Sequence, residues 1–207
     1  MARPGESRHV VLIHGLWMNK YCLHFLARKL RSFGFYPHLF GYSTIRSPIE
    51  EGVDQLCEFA RSMGSERLHF VGHSLGGIVA LRAIEKLPSE CVGRAVLLGT
   101  PLGGSQVAQQ LMRYSVTNFM LGVNRSTLQE GLGEVQIRVP TAMIAGIKPL
   151  GIGSVLPLNL SGAHDGTVLL EETRHPGLAE HHVVEQSHTT MLISSEVAKL
   201  VAGFLRS

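Results

Sequence analysis

The sequence predicts one α/β domain over residues 1–207, with a mainly parallel sheet of about six strands that helices cover on both faces. Short apolar runs alternate with amphipathic helical segments along the chain, which is the order that produces such a sheet. Glycine accounts for 23 of the 207 residues, as many tight turns between strands and helices require. An apolar fraction of 44% and a charged fraction of 17% exclude a disordered chain and allow a substantial core.

Each strand is predicted from an apolar run, and each helix from apolar spacing and end signals. The run at 10–13 is continuous and β-branched, which is typical of a strand buried on both faces. Ser47, Pro48 and Glu50 predict a capping box at the start of the second helix, and a glycine ends each of the first two helices. In chain order we expect strands at 10–13, 36–40, 68–71, 95–98, 141–145 and 182–185, and helices at about 19–33, 48–63, 75–87 and 190–205.

Two stretches depart from this alternation. Residues 102–138 are longer than an ordinary crossover between strands and carry several large apolar side chains. We expect either a small cap over the site or a crossover helix with a long loop. Residues 148–163 are rich in Gly, Pro and Leu and are expected to help wall an apolar pocket.

Charge, cysteine content and hydropathy exclude several functions. The net charge is only +3 and no run of Lys or Arg occurs, so we expect no nucleic-acid partner. Cys22, Cys57 and Cys91 lack metal-ligand spacing and are expected to be small buried residues, and we predict no metal. No apolar stretch is long enough to span a membrane, and the polar N-terminus lacks a signal-peptide core, so we expect a cytoplasmic location.

One motif points to nucleophilic chemistry. Residues 72–76 read Gly-His-Ser-Leu-Gly and match G-x-S-x-G, directly after a predicted buried strand and before a helix. A serine on such a sharp turn needs small neighbours, and the turn lifts its hydroxyl to the carboxyl edge of the sheet. N–H groups at the helix N-terminus favour the negative charge that develops there. We therefore predict Ser74 as a nucleophile rather than part of a turn without chemistry.

A serine nucleophile needs a base that an acid orients, and in this topology the chain order is serine, acid, histidine. Asp165 lies in a His-Asp-Gly turn after the fifth strand and is the predicted acid. The other aspartate, Asp54, precedes the serine inside a predicted helix and is out of order. Glu171 and Glu172 are the remaining rivals, in a polar stretch typical of a solvated face.

Four histidines follow the predicted acid. His188 lies between the sixth strand and the last helix, in a loop that returns to the carboxyl edge of the sheet, and is the predicted base. His175 precedes a proline in a surface-like loop. His181 and His182 open the sixth strand, where the sheet would fix them.

Two backbone N–H groups are expected to form an oxyanion hole. One belongs to Leu75, which follows the nucleophile, and the other to Leu16 in the loop after the first strand, with Trp17 as the alternative. His14 is expected to brace that loop by hydrogen bonds. His73 is expected to point away from the nucleophile and to pack.

These pieces together resemble the α/β-hydrolase family, in particular the small bacterial lipases and esterases. The resemblance rests on residues 11–16, 72–77, 99–105, 164–168 and 187–188, which are spread over nearly the whole chain. Residues 99–105, Gly-Thr-Pro-Leu-Gly-Gly-Ser, are similar to the GTPxxGS stretch of lipases and of GPI-inositol-deacylase-like proteins.

The resemblance implies an α/β-hydrolase fold and hydrolysis of carboxylic esters through an acyl-enzyme, with a Ser74-His188-Asp165 triad and no cofactor. A small-molecule ester of a short- to medium-chain acid is the expected substrate. We expect substrate contacts from Trp17, Met112, Phe119 and Met120. Burial of the apolar cap residues against the site is favoured over contact with a membrane or a second subunit.

Other functions remain open at this point. A thioesterase or an acyltransferase would use the same triad, and Arg113 and Arg125 could meet the phosphates of a coenzyme A thioester. A non-catalytic binding protein of the same fold would need an eroded triad, whereas all the expected parts are present.

Overall fold

The computed structural model describes residues 8–64, 67–112, 124–151 and 160–207. At its centre is a six-stranded, wholly parallel sheet in the strand order β2-β1-β3-β4-β5-β6. The strands are β1 (His9–Ile13), β2 (Tyr36–Phe40), β3 (Leu68–His73), β4 (Val92–Leu98), β5 (Thr141–Gly146) and β6 (Glu180–Val184). The predicted α/β architecture is confirmed.

Helices follow the strands along the chain. They are α1 (His24–Ser32), α2 (Ile49–Ser62), α3 (Leu75–Lys86), α4 (Gln106–Met112), α5 (Arg125–Glu130) and α6 (Ser195–Arg206). Short 3-10 turns lie at Lys20–Leu23, Ser89–Cys91, Glu171–Thr173 and Thr190–Ile193. No helix within the described ranges is long and apolar enough to cross a membrane.

The sheet separates two hydrophobic clusters, and β1 shows how it does so. Val11 and Ile13 pack in a cluster with residues of α2 and α3, whereas Val10 and Leu12 pack in a second cluster with residues of α1 and α6. Successive strand residues point to opposite faces, so a strand that is buried on both sides must be apolar at every position. The helical layers on both faces of the sheet therefore explain the continuous apolar run of β1.

The described parts of residues 102–138 pack on the face of the sheet that α2 and α3 cover. Leu102, Val107, Leu128 and Leu132 are buried in the same cluster as those helices. The Leu132 N–H donates to the Leu102 carbonyl, so the start of the segment lies beside residue 132. Residues 113–123 lie outside the described part of the chain, and the capping role of the segment stays a prediction.

The predicted capping box at the second helix is wrong. The helix α2 begins at Ile49, and Pro48 occupies the N-cap position without a side-chain hydrogen bond. The extended backbone of Pro48, with ψ of 147°, keeps Ser47 outside the helix. The Ser47 carbonyl oxygen instead accepts a hydrogen bond from the side-chain amide of Asn124.

Two further local predictions need correction. The last helix begins at Ser195 rather than at residue 190, because a 3-10 turn precedes it and the Ser194 hydroxyl accepts a hydrogen bond from the Val197 N–H as its cap. Cys22 is exposed, since it lies in a surface 3-10 turn and not on the buried face of α1. Of the three cysteines, Cys57 is buried.

Candidate active site

The parallel sheet brings the predicted functional loops to one edge, and the turn after β3 is the most constrained of them. Ser74 has φ of 54° and ψ of −125°, a strained conformation for a residue with a side chain. A Cβ atom on Gly72 would lie 2.4 Å from the Cα of Gly77, and one on Gly76 would lie 2.5 Å from the His14 carbonyl oxygen. The glycines of the motif are therefore required by close backbone contacts.

Backbone hydrogen bonds hold Ser74 in this conformation. Its N–H donates to the Leu98 carbonyl at 2.9 Å, and its own carbonyl accepts from the Gly77 N–H at 2.9 Å. The hydroxyl of Thr100 also donates to the Ser74 carbonyl, at 3.0 Å. The serine is thus fixed to β4 on one side and to its own helix on the other.

Asp165 and His188 form a buried hydrogen-bonded pair. The His188 Nδ1 lies 2.7 Å from the Asp165 Oδ2, and the two residues are 8% and 1% exposed. The other carboxylate oxygen, Oδ1, accepts the N–H groups of Thr167 and Val168 at 2.9 and 2.7 Å. With Nδ1 bound to a carboxylate, the imidazole keeps Nε2 as its free nitrogen for proton transfer.

The environment of Asp165 keeps it ionised. Burial alone would raise the pKa of this carboxyl, but the His188 ring and the two backbone donors outweigh it and hold the pKa below its ordinary value. An ionised carboxylate beside Nδ1 fixes the imidazole tautomer and would stabilise the imidazolium that forms during catalysis.

The rival carboxylates are engaged elsewhere. Glu172 is buried and accepts the N–H groups of Gln106 and Leu169 at 2.6 and 2.9 Å, and burial raises its pKa. Glu171 is exposed and pairs with Arg174. Neither contacts His188 in these hydrogen bonds, so the geometry favours Asp165 as the acid.

A cavity of about 320 Å³ opens beside the serine, and both Ser74 and His188 line it. The lining is mainly apolar, with Leu16, Trp17, Val107, Ala108, Leu128 and Val168 among its residues. No Asp, Glu, Lys or Arg lines the cavity in the described part of the chain. The space therefore suits an uncharged, apolar group next to the serine.

The predicted substrate contacts have different outcomes. Trp17 lines the cavity and is 38% exposed, as a residue at its mouth would be. Met112, at the end of α4, is partly buried and packs against the hydrophobic cluster of α2 and α3. Phe119 and Met120 lie outside the described residues, and their role stays a prediction.

In the loop after β1, hydrogen bonding distinguishes the two candidates for the first oxyanion donor, Leu16 and Trp17. The Trp17 N–H donates to the Thr44 hydroxyl at 3.2 Å, while Leu16 lines the cavity. Because the Trp17 N–H already has an acceptor, Leu16 is the better candidate. Leu75, the second predicted donor, is the first residue of α3 and is buried.

His14 braces this loop, as expected. Its Nδ1 donates to the Gly15 carbonyl at 3.0 Å, and its ring stacks on Tyr42. The Tyr42 hydroxyl in turn donates to the His14 carbonyl at 3.1 Å. Burial lowers the pKa of His14, which favours a neutral ring, and a neutral ring is needed for Nε2 to accept the Tyr42 N–H at 3.5 Å.

Three further residues support the site: Thr44 and Asn124, which belong to no motif in the sequence, and Thr100, which lies in the Gly-Thr-Pro-Leu-Gly-Gly-Ser stretch. Thr44 accepts the Trp17 N–H, Thr100 binds the Ser74 carbonyl, and the amide of Asn124 donates to the Thr44 and Ser47 carbonyls. None of these contacts follows from local spacing, because each joins loops that only the folded sheet brings together. Within the described ranges, no group of three or more His, Cys, Asp or Glu side chains could hold a metal ion.

Comparison with known proteins agrees with this architecture. A sequence profile described as "Alpha/beta hydrolase family" matches residues 10–180. A comparison with curated protein sequences gave no match.

Solved structures share the fold at low sequence identity. The mature form of the Bacillus licheniformis lipase BlEst2 superposes with a TM-score of 0.84 at 20% identity, covering 100% of this chain and 95% of that one. The metagenomic carboxyl esterase MGS0156 gives 0.72 at 18% identity, covering 99% and 76%. The esterase EaEST from Exiguobacterium antarcticum gives 0.66 at 13% identity, covering 98% and 93%. At these identities the likeness establishes the fold.

Proposed function

This chain belongs to the alpha/beta hydrolase family, and from that membership we propose that it hydrolyses carboxylic esters through an acyl-enzyme on Ser74. The observation that carries the proposal is the convergence of Ser74 and the buried Asp165–His188 pair on one apolar cavity. The lipases and esterases of similar fold support the same reaction class.

In the first half of the proposed reaction, the Ser74 hydroxyl attacks the ester carbonyl while His188 Nε2 takes its proton. The carbonyl π electrons move onto oxygen, and the N–H groups of Leu16 and Leu75 stabilise that oxyanion. The C–O bond to the alcohol then breaks, and the alcohol leaves with the proton from His188. The product on the enzyme is an ester of Ser74.

In the second half, water replaces the alcohol. His188 takes a proton from the water, whose oxygen attacks the acyl-enzyme, and then returns the proton to the Ser74 oxygen as the carboxylic acid leaves. Asp165 stays ionised throughout, because its role is to orient His188 and to stabilise its charged form. The proposed hydrolysis involves no change of oxidation state and no cofactor.

The cavity supports a short- to medium-chain acyl group. At about 320 Å³, the cavity lies at the small end of the roughly 300–1,000 Å³ range of small-molecule sites, which favours a short acyl chain over a long one. The described residues that line the cavity include no Asp, Glu, Lys or Arg, and this favours a neutral acyl chain. We expect rates to pass through a maximum below about ten acyl carbons.

Hydrolysis of p-nitrophenyl esters from acetate to palmitate, by wild type and by Ser74→Ala, tests the proposal. We expect a chain-length optimum in the wild type and loss of turnover in the variant by several orders of magnitude. Ser62→Ala is the matched control, since Ser62 is an exposed serine at the end of α2 whose hydroxyl bonds only its own helix. This control should retain wild-type rates.

Three results would contradict the proposal or part of it. Undiminished hydrolysis by Ser74→Ala would remove the serine from the mechanism. Rates that rise past ten acyl carbons and jump at an emulsion interface would show that the short-chain assignment is wrong. Inactivity on every ester, together with turnover of acyl-coenzyme A, would move the assignment to a thioesterase.

A further inference from the structure

The residue before the serine, His73, makes a contact that the proposed reaction leaves unexplained. His73 is the last residue of β3, is 1% exposed, and lies with its Nε2 2.8 Å from the backbone carbonyl oxygen of His188. A carbonyl oxygen can only accept, so Nε2 must be the donor and must carry the proton. The two residues are 115 positions apart in the chain.

We propose that His73 is a positioning residue, which holds the loop of the general base in place through the hydrogen bond from its Nε2–H to the His188 carbonyl. The inference rests on the proposed function, because it assigns His73 a role only if His188 moves the proton of Ser74.

The hydrogen bonds around His188 show why this bond matters. Asp165 holds two points of the residue, because its Oδ2 accepts Nδ1 at 2.7 Å and its backbone carbonyl accepts the His188 N–H at 2.9 Å. His73 holds the opposite side of the peptide, at the carbonyl. His188 lies in the loop between β6 and a 3-10 turn, where no strand pairing fixes its carbonyl. The position of the imidazole therefore depends on these three hydrogen bonds, two from Asp165 and one from His73.

The place of His73 in the chain links this tether to the nucleophile. His73 is paired with Leu98 in the sheet and is directly followed by Ser74, so both residues are fixed to one strand end. The hydrogen bond from His73 to the His188 carbonyl therefore fixes the distance between Ser74 and His188 relative to the sheet. Without it, that distance would depend on the backbone dihedral angles of the loop that carries His188. General base catalysis needs that distance within hydrogen-bond reach.

The other contacts of His73 favour a neutral ring in one tautomer. Its ring lies against the His188 ring, with centroids 4.6 Å apart, and a Cβ on Gly15 would lie 3.1 Å from its Nδ1. Burial and the neighbouring His188 lower the pKa of His73 to about 3. Within the described chain Nδ1 is buried without a hydrogen-bond partner. A neutral ring adds no like charge beside the imidazolium that forms on His188.

Two substitutions separate the hydrogen bond from simple packing. His73→Leu fills the space without a donor, and His73→Gln places an amide N–H close to the position of Nε2. Active sites are counted with a fluorophosphonate, which labels activated serines, and kcat per labelled site and KM are measured on p-nitrophenyl butyrate. We expect His73→Leu to lower kcat about 10- to 100-fold at unchanged KM, and His73→Gln to stay within about threefold of wild type.

The matched control is His69→Leu. His69 is a buried histidine on the same strand, at the end away from the site, where its Nδ1 accepts the Arg94 N–H at 2.8 Å. Its loss should lower stability and leave kcat per labelled site within about twofold. An equal fall in kcat for His69→Leu, an unchanged kcat for His73→Leu, or equal losses for the Leu and Gln variants at position 73 would each overturn the inference.

A measurement on the wild type keeps the test valid if His73→Leu does not fold. Nitrogen-15 NMR of histidine-labelled protein, with the His73 signals assigned from the spectrum of His73→Gln, reports which ring nitrogen carries the proton. We expect the neutral Nε2–H tautomer from pH 5 to 8, whereas an Nδ1–H tautomer or protonation in this range would overturn the inference. A wild type that neither cleaves esters nor reacts with the fluorophosphonate would refute the proposed function, while the tautomer would still test the hydrogen bond.

Discussion

At the level of single residues, two residues of the site have strained backbone conformations. Trp17 and Ser74 are the described non-glycine residues with positive φ, at 58° and 54°. Such conformations persist only where the surroundings hold them. Ser74 is held because its N–H donates to β4 and its carbonyl accepts the Thr100 hydroxyl, while the Thr44 hydroxyl accepts the Trp17 N–H. The strain lies at the proposed nucleophile itself and at the neighbour of the proposed oxyanion donor Leu16, where backbone placement matters most.

Removing the hydroxyl that holds Trp17 should therefore impair catalysis. Thr44→Val keeps the shape of the side chain but leaves the Trp17 N–H without its acceptor. We expect kcat on p-nitrophenyl butyrate to fall about 10- to 100-fold, because the neighbouring Leu16 N–H loses its alignment. Thr44→Ser, which retains the hydroxyl, should remain close to wild type, and equal losses in both variants would contradict this reading.

Substitution of Asp165, the acid of the proposed triad, should lower turnover more than substitution of Thr44. Asp165→Asn preserves the size of the side chain but removes the charge that fixes His188 in the required tautomer. We expect turnover to fall by about 10⁴, as in comparable triads. Asp54→Asn is the matched control, since Asp54 is the other aspartate of the chain and forms an exposed ion pair with Lys86. A loss below tenfold at Asp165 would move the acid to Glu171 or Glu172.

At the scale of elements, Glu172 joins α4 to the turn that carries the acid. Its carboxylate accepts the N–H of Gln106, the first residue of α4, and the N–H of Leu169, which follows the Asp165 turn. Its backbone carbonyl also accepts the Gly103 N–H at 2.9 Å. A single buried side chain thus connects the segment that walls the cavity to the loop of the proposed acid.

This connection predicts a loss of stability in Glu172→Gln. Gln presents one oxygen and one amide group, so one of the two buried N–H donors would face an N–H instead of an acceptor. We expect the free energy of unfolding in urea to fall by about 1–3 kcal/mol. Glu171→Gln changes the same group on an exposed neighbour and should have little effect. Equal stability of the two variants would show that the buried contacts do not stabilise the fold.

At the scale of the whole molecule, buried histidines make stability depend on pH. Burial lowers the pKa of His14, His73 and His181, with that of His73 at about 3. In the unfolded chain these groups return to their ordinary values near 6.5. Below that pH the unfolded chain binds protons that the native state does not bind. The contribution of these histidines to the free energy of unfolding is therefore complete above about pH 6.5 and is lost as the pH falls.

Urea unfolding at pH 7.5, 6.5 and 5.5 measures this loss. We expect His73 alone to cost roughly 1 kcal/mol between pH 7.5 and 5.5. In His73→Gln the titrating group is absent, so the free energy of unfolding should depend less steeply on pH than in wild type. Parallel curves for the two proteins would show that His73 is not neutral in the native state.

Local signals in the sequence are sufficient to predict the parallel sheet and the order of the candidate residues. Apolar runs, helical spacing and the glycines around Ser74 are local signals, and they reflect burial and turn geometry within a few residues. They were enough to predict six strands and to rank Ser74, Asp165 and His188 above their rivals. The catalytic roles of these three residues remain predictions that Ser74→Ala and Asp165→Asn will test.

The side chains that hold those residues in place are identified by long-range contacts in the folded chain. Thr44 meets Trp17 across 27 positions, Glu172 meets Gln106 across 66, and His73 meets His188 across 115. No local spacing encodes such contacts, because they arise where parallel strands end side by side at one edge of the sheet. The predicted capping box at Ser47 is wrong because Pro48 takes the N-cap position with an extended backbone, and the distant Asn124 amide binds the Ser47 carbonyl.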